Sequence, residues 1–191
     1  MGRSPRISNA DLVAAAARVA ARLGPARATV ELIAREAGVP VGSVYHRFPS
    51  RAALMAEAWI DAAGRFGADV IARLDAAKTL EDVLEAALVT SRFARADPSA
   101  GVVLFANRRE DFLADAPGPS KARAAALTSA LQGSIAAAAR RLLPGNRRGR
   151  ELLSVAILGI PYGAVRIFLP QAVPPPELDS VILAAARGAL A

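Results

Sequence analysis

The sequence contains no cysteine and only one histidine, His46. Without cysteine, the chain has no disulfide, no thiolate metal site and no cysteine nucleophile. A lone histidine also provides no histidine pair for a metal ion, and no cysteine–histidine pair for nucleophilic catalysis. A carboxylate pair is still conceivable, but no spacing of acidic residues singles one out. We therefore predict that the protein is not an enzyme and has no catalytic residues, no metal ion and no cofactor.

Aromatic residues are also scarce, at 5% of a chain whose hydrophobic fraction is 53%. Alanine and leucine make up most of that fraction, and both favour helix over sheet. No stretch alternates apolar and polar residues as a strand would. A length of 191 residues fits one large domain or two small ones. The prediction is an all-α fold of about nine helices.

Proline, glycine and capping residues divide the chain into the expected helices. Ser8 and Thr29 are placed to cap the first two helices, and Ser50 the long fourth one. Gly24-Pro25, Gly38 and Pro49 end the helices that precede them. The later helices are expected at about residues 80–96, 100–113, 120–143, 147–169 and 177–190.

Positive charge is concentrated at the N-terminus. Residues 1–51 carry a net charge of +5, whereas residues 52–191 carry +2. This asymmetry indicates a polyanion-binding head, although an ordinary solvated surface would look the same by charge alone. Arg3 and Arg6 could form an arm that reaches DNA, or could belong to a disordered tail. The first twelve residues lack the apolar run of a secretory signal, which predicts a cytoplasmic protein.

Residues 29–54, TVELIAREAGVPVGSVYHRFPSRAAL, have helix-turn-helix spacing. Gly38 lies where the chain must reverse, and glycine tolerates the left-handed conformation needed there. Val44, Phe48 and Leu54 are expected to be scaffold. We expect the second short helix to enter a DNA groove, where phosphate contacts would position the protein and base contacts would specify the sequence. The predicted DNA contacts are Thr29, Val41, Gly42, Ser43, Tyr45, His46, Arg47 and Arg51.

This stretch closely resembles the DNA-binding signature of the tetracycline-repressor (TetR) family of bacterial regulators. The matching motifs are Ile33-Ala34, Ala37-Gly38-Val39, Gly42-Ser43-Val44-Tyr45 and Phe48-Pro49-Ser50-Arg51 before Leu54. Three positions depart from the family pattern. Pro40 replaces a frequent serine cap, Arg47 a frequent histidine, and Arg51 the usual lysine.

The resemblance implies a DNA-binding domain over residues 1–51 and a ligand-binding and dimerisation domain over residues 52–191. It also implies a homodimer built from the last two helices, about 147–169 and 177–190. Residues 152–169, LLSVAILGIPYGAVRIFL, are apolar nearly all round, which favours burial in an interface. Their length would also suit a membrane span, but Arg166, Pro161 and two glycines argue against one.

In the family, a small molecule usually enters the larger domain and repositions the two DNA-binding heads. The residues expected to line such a pocket are Trp59, Phe93, Phe105, Arg108, Phe112, Tyr162 and Arg166. The two arginines lie among apolar residues, and a buried arginine would need a partner. That partner could be an anionic ligand or an acidic residue such as Asp111.

The sequence thus predicts a regulator, and specifically a repressor, that binds a palindromic double-stranded DNA operator and leaves it when an unknown effector binds. Two alternatives stay open at this stage. One is an architectural protein that binds DNA without sequence preference, and the other is a helical ligand-binding module that does not regulate DNA.

Overall fold

A computed structural model of the chain describes residues 7–191, and Arg3 and Arg6 lie outside this range. The described part is all-helical, with no strand. It has ten helices, close to the nine predicted, when residues 80–96 and residues 149–166 are each counted as one helix.

Three short helices and the start of a fourth form the head. They are α1 (Asn9–Leu23), α2 (Val30–Ala37), α3 (Val41–Tyr45) and α4 (Arg51–Ala76). Ser8 and Asp11 form a capping box at the start of α1, as the sequence predicts. Ser50 accepts a hydrogen bond from the Ala53 N–H at 3.1 Å and caps α4.

The body continues with shorter helices that cross α4. They are α5 (Leu80–Ala87), α6 (Val89–Ala96), α7 (Pro98–Gly101) and α8 (Glu110–Leu113), and Val102–Ala106 extends α7 as a π-helical turn. Residues 100–113 were expected to form one helix. They do not, because Asn107 is extended and its side chain donates to the Val102 carbonyl at 2.9 Å.

The remaining helices are α9 (Gly118–Leu142), α10 (Gly149–Ser154), α11 (Ile160–Arg166) and α12 (Leu178–Leu190). A π-helical turn, Val155–Gly159, joins α10 to α11, so the predicted apolar helix is one continuous rod. α4 is central, because it contacts α1, α5 and α9. No helix in the described part of the chain is long and apolar enough to cross a membrane.

Candidate DNA-binding and effector sites

Buried residues within and after α3 hold it against the rest of the head. Val44 and Phe48 are buried, and Leu54 at the start of α4 is fully enclosed. Gly38 adopts the left-handed conformation (φ 69°), which lets the Val39 N–H return to the Ala34 carbonyl at 3.0 Å. These residues are scaffold, as predicted, and they fix the outward face of α3.

The outward face presents the residues predicted to read DNA. Gly42, Tyr45 and His46 are exposed, and Tyr45 shows 51% of its surface to solvent. Val41 and Ser43 are partly buried beside them. An exposed aromatic residue on a helix needs no partner for folding, so Tyr45 is available for an external contact. Arg47 points toward α1, where its Nη1 lies 3.5 Å from the Asn9 side-chain oxygen.

Thr29 caps α2 as predicted, and Arg51 has an internal role that the sequence did not predict. The Thr29 hydroxyl accepts from the Leu32 N–H at 3.3 Å, and the Thr29 N–H donates to the Arg27 carbonyl at 3.0 Å. Its N–H is therefore engaged and does not face a phosphate. The Arg51 guanidinium donates to the carbonyls of Pro25 and Ala28, so it ties α4 to the turn between α1 and α2. Two of its five N–H donors are thus engaged inside the head, and a DNA contact through the others stays a prediction.

Part of the positive charge of the head is also used internally. Arg18 and Arg22 both pair with Glu36, at 2.8 and 3.0 Å, which links α1 to α2. Hydrogen bonds from these two arginines lower the pKa of Glu36. The charge distribution along the sequence therefore overestimates how much positive charge is available to face a polyanion.

An aromatic cluster forms the core of the body beneath α4. Phe66, Phe93, Phe105 and Tyr162 lie with ring centroids 4.8 to 6.1 Å apart, mostly edge to face. Such aromatic pairs stabilise a core by more than their buried area alone accounts for. Phe93 and Phe105 are therefore packing residues.

A pocket of about 270 Å³ lies beside this cluster, between α4, α9 and the π-helical turn before α11. Of the predicted pocket residues, Trp59 and Tyr162 line it. Burial raises the pKa of the Tyr162 phenol well above its usual value, so the hydroxyl remains protonated. The other lining residues are Ala63, Phe66, Gly67, Leu104, Arg109, Leu127, Thr128, Leu131, Gln132 and Leu158.

The predictions for Arg108 and Arg166 were wrong. Both side chains are exposed, and neither lines this pocket. The cation at the pocket is the neighbouring Arg109, whose guanidinium carbon lies 5.4 Å from the centre of the Trp59 ring. Phe112 is buried but is not part of the pocket wall.

One face of α11 and α12 leaves apolar and small residues in solvent. Ile167 is 79% exposed and Val181 60%, and Val155 is also exposed. Gly159 and Gly163 lie one turn apart on the same rod, and both are exposed. We call this surface the C-terminal face; it consists of Val155, Gly159, Gly163, Ile167, Val181, Ala184, Ala185 and Gly188.

A charged cluster holds α12 in place behind that face. Asp179 accepts from Arg95 at 2.7 and 3.1 Å and from the Ser91 hydroxyl at 2.6 Å. Burial raises the pKa of Asp179, but the hydrogen bonds from Arg95 and Ser91 outweigh it and leave the pKa below its usual value. The partners are more than eighty residues apart in sequence, so no local pattern could have revealed them.

This cluster predicts an acid-sensitive attachment of α12. The pKa of Asp179 is lower in the folded protein than in the unfolded chain. The stabilisation that its carboxylate provides is therefore complete above the unfolded-state pKa and is lost as the pH falls through the folded-state pKa. Asp179→Ala should lower the free energy of unfolding by about 1–2 kcal/mol at neutral pH, with a smaller difference below about pH 4. Urea unfolding at several pH values checks this, and a difference that grows on acidification would contradict it.

Comparison with known proteins places these features in a family. Residues 12–58 match the family described as bacterial regulatory proteins, tetR family. The head of the chain therefore matches the TetR family. The match covers α1 to α3 and the first turns of α4, which is the head. Members of this family are DNA-binding transcription factors and not enzymes.

Solved structures of regulators share the fold over nearly the whole chain. The FadR regulator from Bacillus subtilis, solved with stearoyl-CoA, is 15% identical with a TM-score of 0.72, covering 94% of this chain and 97% of that one. FadR from Bacillus halodurans is 17% identical with a TM-score of 0.68, and the match covers 100% of this chain and 97% of that one. A TetR regulator from a Rhodococcus species is 21% identical with a TM-score of 0.54, covering 95% and 94%. No curated sequence matches the chain.

Proposed function

We propose that the protein is a homodimeric transcriptional repressor in the cytoplasm that leaves a palindromic operator when a small molecule fills the pocket between α4 and α9. The observation that supports this best is the exposed face of α3 on a buried scaffold. Its proposed contacts are Val41, Gly42, Ser43, Tyr45, His46 and Arg47. Thr29 and Arg51 contribute indirectly, because their hydrogen bonds fix the shape of the head.

The C-terminal face is the proposed dimer interface. Exposed valine and isoleucine side chains supply apolar area, and the exposed glycines allow two helices to approach closely. A two-fold dimer would present two α3 helices to half-sites whose centres lie about 34–36 Å apart, or a multiple of that distance.

The long helix α4 connects the two proposed sites. Arg51 at its start is hydrogen-bonded to the head, while Trp59 and Phe66 further along it line the pocket. A ligand that shifts α4 would therefore also shift the head. It would favour release only if it binds better to the arrangement that misses the operator. We place the boundary between the domains near residue 51, at the point where α4 begins.

Selection from a randomised pool of duplex DNA tests the function directly. At moderate salt, the protein should enrich a palindrome with two equal half-sites. Recovery of sequences without a shared motif, together with steeply salt-dependent affinity, would instead indicate an architectural DNA-binding protein. No DNA binding at all would indicate a ligand-binding module.

A second prediction concerns Tyr45. Tyr45→Ala should weaken operator binding at least about tenfold, because a hydrogen bond to a charged phosphate contributes ~1.5–3 kcal/mol. The melting temperature should hardly change, since the side chain is half exposed. Fluorescence anisotropy with the selected operator measures the affinity. Tyr45→Phe separates the hydroxyl from the ring, and unchanged affinity in both variants would remove Tyr45 from the contact set.

A further inference from the structure

The pocket beside the aromatic cluster has one formally charged residue in its wall, Arg109. The rest of the wall is aliphatic or aromatic, apart from the neutral polar groups of Thr128, Gln132 and Tyr162. No aspartate or glutamate lines it. The pocket thus combines a mostly apolar interior with a single positive charge.

Arg109 has no internal counter-ion among residues 7–191. No carboxylate lies within 4.0 Å of its guanidinium, and its side chain donates no hydrogen bond to a described residue. Its one notable contact is with the ring of Trp59. A cation over an aromatic face is attracted by the ring, but its in-plane N–H donors need other partners.

The neighbouring residue Arg108 provides a natural comparison. Its side chain is exposed, so water satisfies its donors, and its backbone N–H donates to Asp111 at 2.9 Å. Arg109 is partly buried and borders an apolar cavity. Its guanidinium nitrogens are still reached by solvent, and an anion in the cavity would replace water as their partner in a charge-assisted hydrogen bond.

Among the neutral polar groups, Tyr162 fits this kind of ligand, because its hydroxyl is protonated at neutral pH and can donate to a carboxylate. Burial raises the pKa of Tyr162 further. The Thr128 hydroxyl already donates to the Ala124 carbonyl at 3.1 Å, so it has no proton left for a carboxylate. The volume of about 270 Å³ is slightly below the range of ~300–1,000 Å³ that is usual for ligand pockets, which favours a compact molecule.

We propose that the pocket binds a compact organic monocarboxylate, with its carboxylate on Arg109 and its aliphatic or aromatic body against Trp59, Phe66 and Leu131. This names the chemical class of the effector and so rests on the proposed function. Arg109 supplies selectivity for the charge, and the apolar wall accepts the body of the ligand.

Trp59 makes the proposal directly measurable, because it is the only tryptophan in the chain and lines the pocket. The full-length protein is titrated with octanoate, octanamide and octylamine, and separately with benzoate and benzamide, while tryptophan emission is recorded. At least one carboxylate should give a saturable change. Its affinity should exceed that of its amide about tenfold or more, as expected for a charge-assisted hydrogen bond.

Arg109→Gln should reduce the affinity for the carboxylate to about that of the amide. Arg108→Gln is the matched control, since it removes an equal charge one residue away and should leave binding unchanged. The wild-type comparison of acid and amide needs no variant, so it decides the question even if Arg109→Gln folds poorly. Equal affinity for acid and amide, a preference for the amine, or no saturable response to either carboxylate at millimolar concentration would overturn the proposal.

Operator binding separates this proposal from the proposed function. If octanoate binds in an Arg109-dependent way but leaves operator affinity unchanged, the pocket is an anion site but is not the effector site. If the operator is bound specifically while neither acid binds, the protein is a regulator and the pocket is not an anion site.

Discussion

Replacing Gly163 with glutamate is expected to convert the dimer into monomers and to weaken operator binding by about a hundredfold or more. Gly163 is exposed on the C-terminal face, and no heavy atom lies within 4 Å of where a Cβ would stand. The monomer should therefore fold normally. In a two-fold dimer, however, the substitution would place two like charges in an apolar interface without partners.

Gly133→Glu is the control for this prediction. Gly133 is also an exposed helical glycine with nothing within 4 Å of a Cβ, but it lies on α9, away from the C-terminal face. Sedimentation velocity at micromolar concentration gives the oligomeric state, and circular dichroism gives the melting temperature. If Gly163→Glu remains dimeric with wild-type operator affinity, the interface lies elsewhere.

The sequence allowed accurate prediction wherever a local signal determines the structure. Ser8, Thr29 and Ser50 cap helices as expected, because a capping side chain and its N–H partner are only a few residues apart. Gly38 takes the left-handed conformation that its position in the turn demands. The positions of Val44 and Phe48 in the scaffold follow from the same short motif.

The prediction failed where the rotation of a helix about its axis had to be known. A single helix over residues 100–113 would carry Arg108 on the same face as Phe105 and Phe112. The break at Asn107 changes the phase, so Arg108 turns outward and Arg109 reaches the pocket. Arg166 was misplaced for a related reason, since an all-apolar helix gives no periodic signal for which face is outside.

Arg51 shows a different limit, because the same residue type serves two roles equally well. Arginine can bind a phosphate or cap backbone carbonyls with identical donors. Its partners Pro25 and Ala28 lie more than twenty residues away in the turn between α1 and α2. Only the folded arrangement shows that two of its five donors are already used.

Arg51→Ala is therefore expected to destabilise the protein, by about 2–4 kcal/mol, through the loss of two hydrogen bonds from a charged group to partly buried carbonyls. Its Nε donates to the Ala28 carbonyl at 2.7 Å, and its Nη2 donates to Pro25. Urea unfolding measures the loss. Arg51→Lys should recover only part of it, because an ammonium group cannot reproduce the planar fork of a guanidinium.

Arg35→Ala is the matched control in the same domain. Arg35 is an exposed arginine on α2, and it makes no ion pair within the described residues. Its removal should change the free energy of unfolding by no more than about 0.5 kcal/mol.

A structural Arg51 predicts that operator affinity falls in proportion to lost stability and recovers at low temperature, where the head is folded. If Arg51→Ala instead loses operator binding with an unchanged free energy of unfolding, Arg51 contacts a DNA phosphate, because the loss of such a contact leaves the folded head intact.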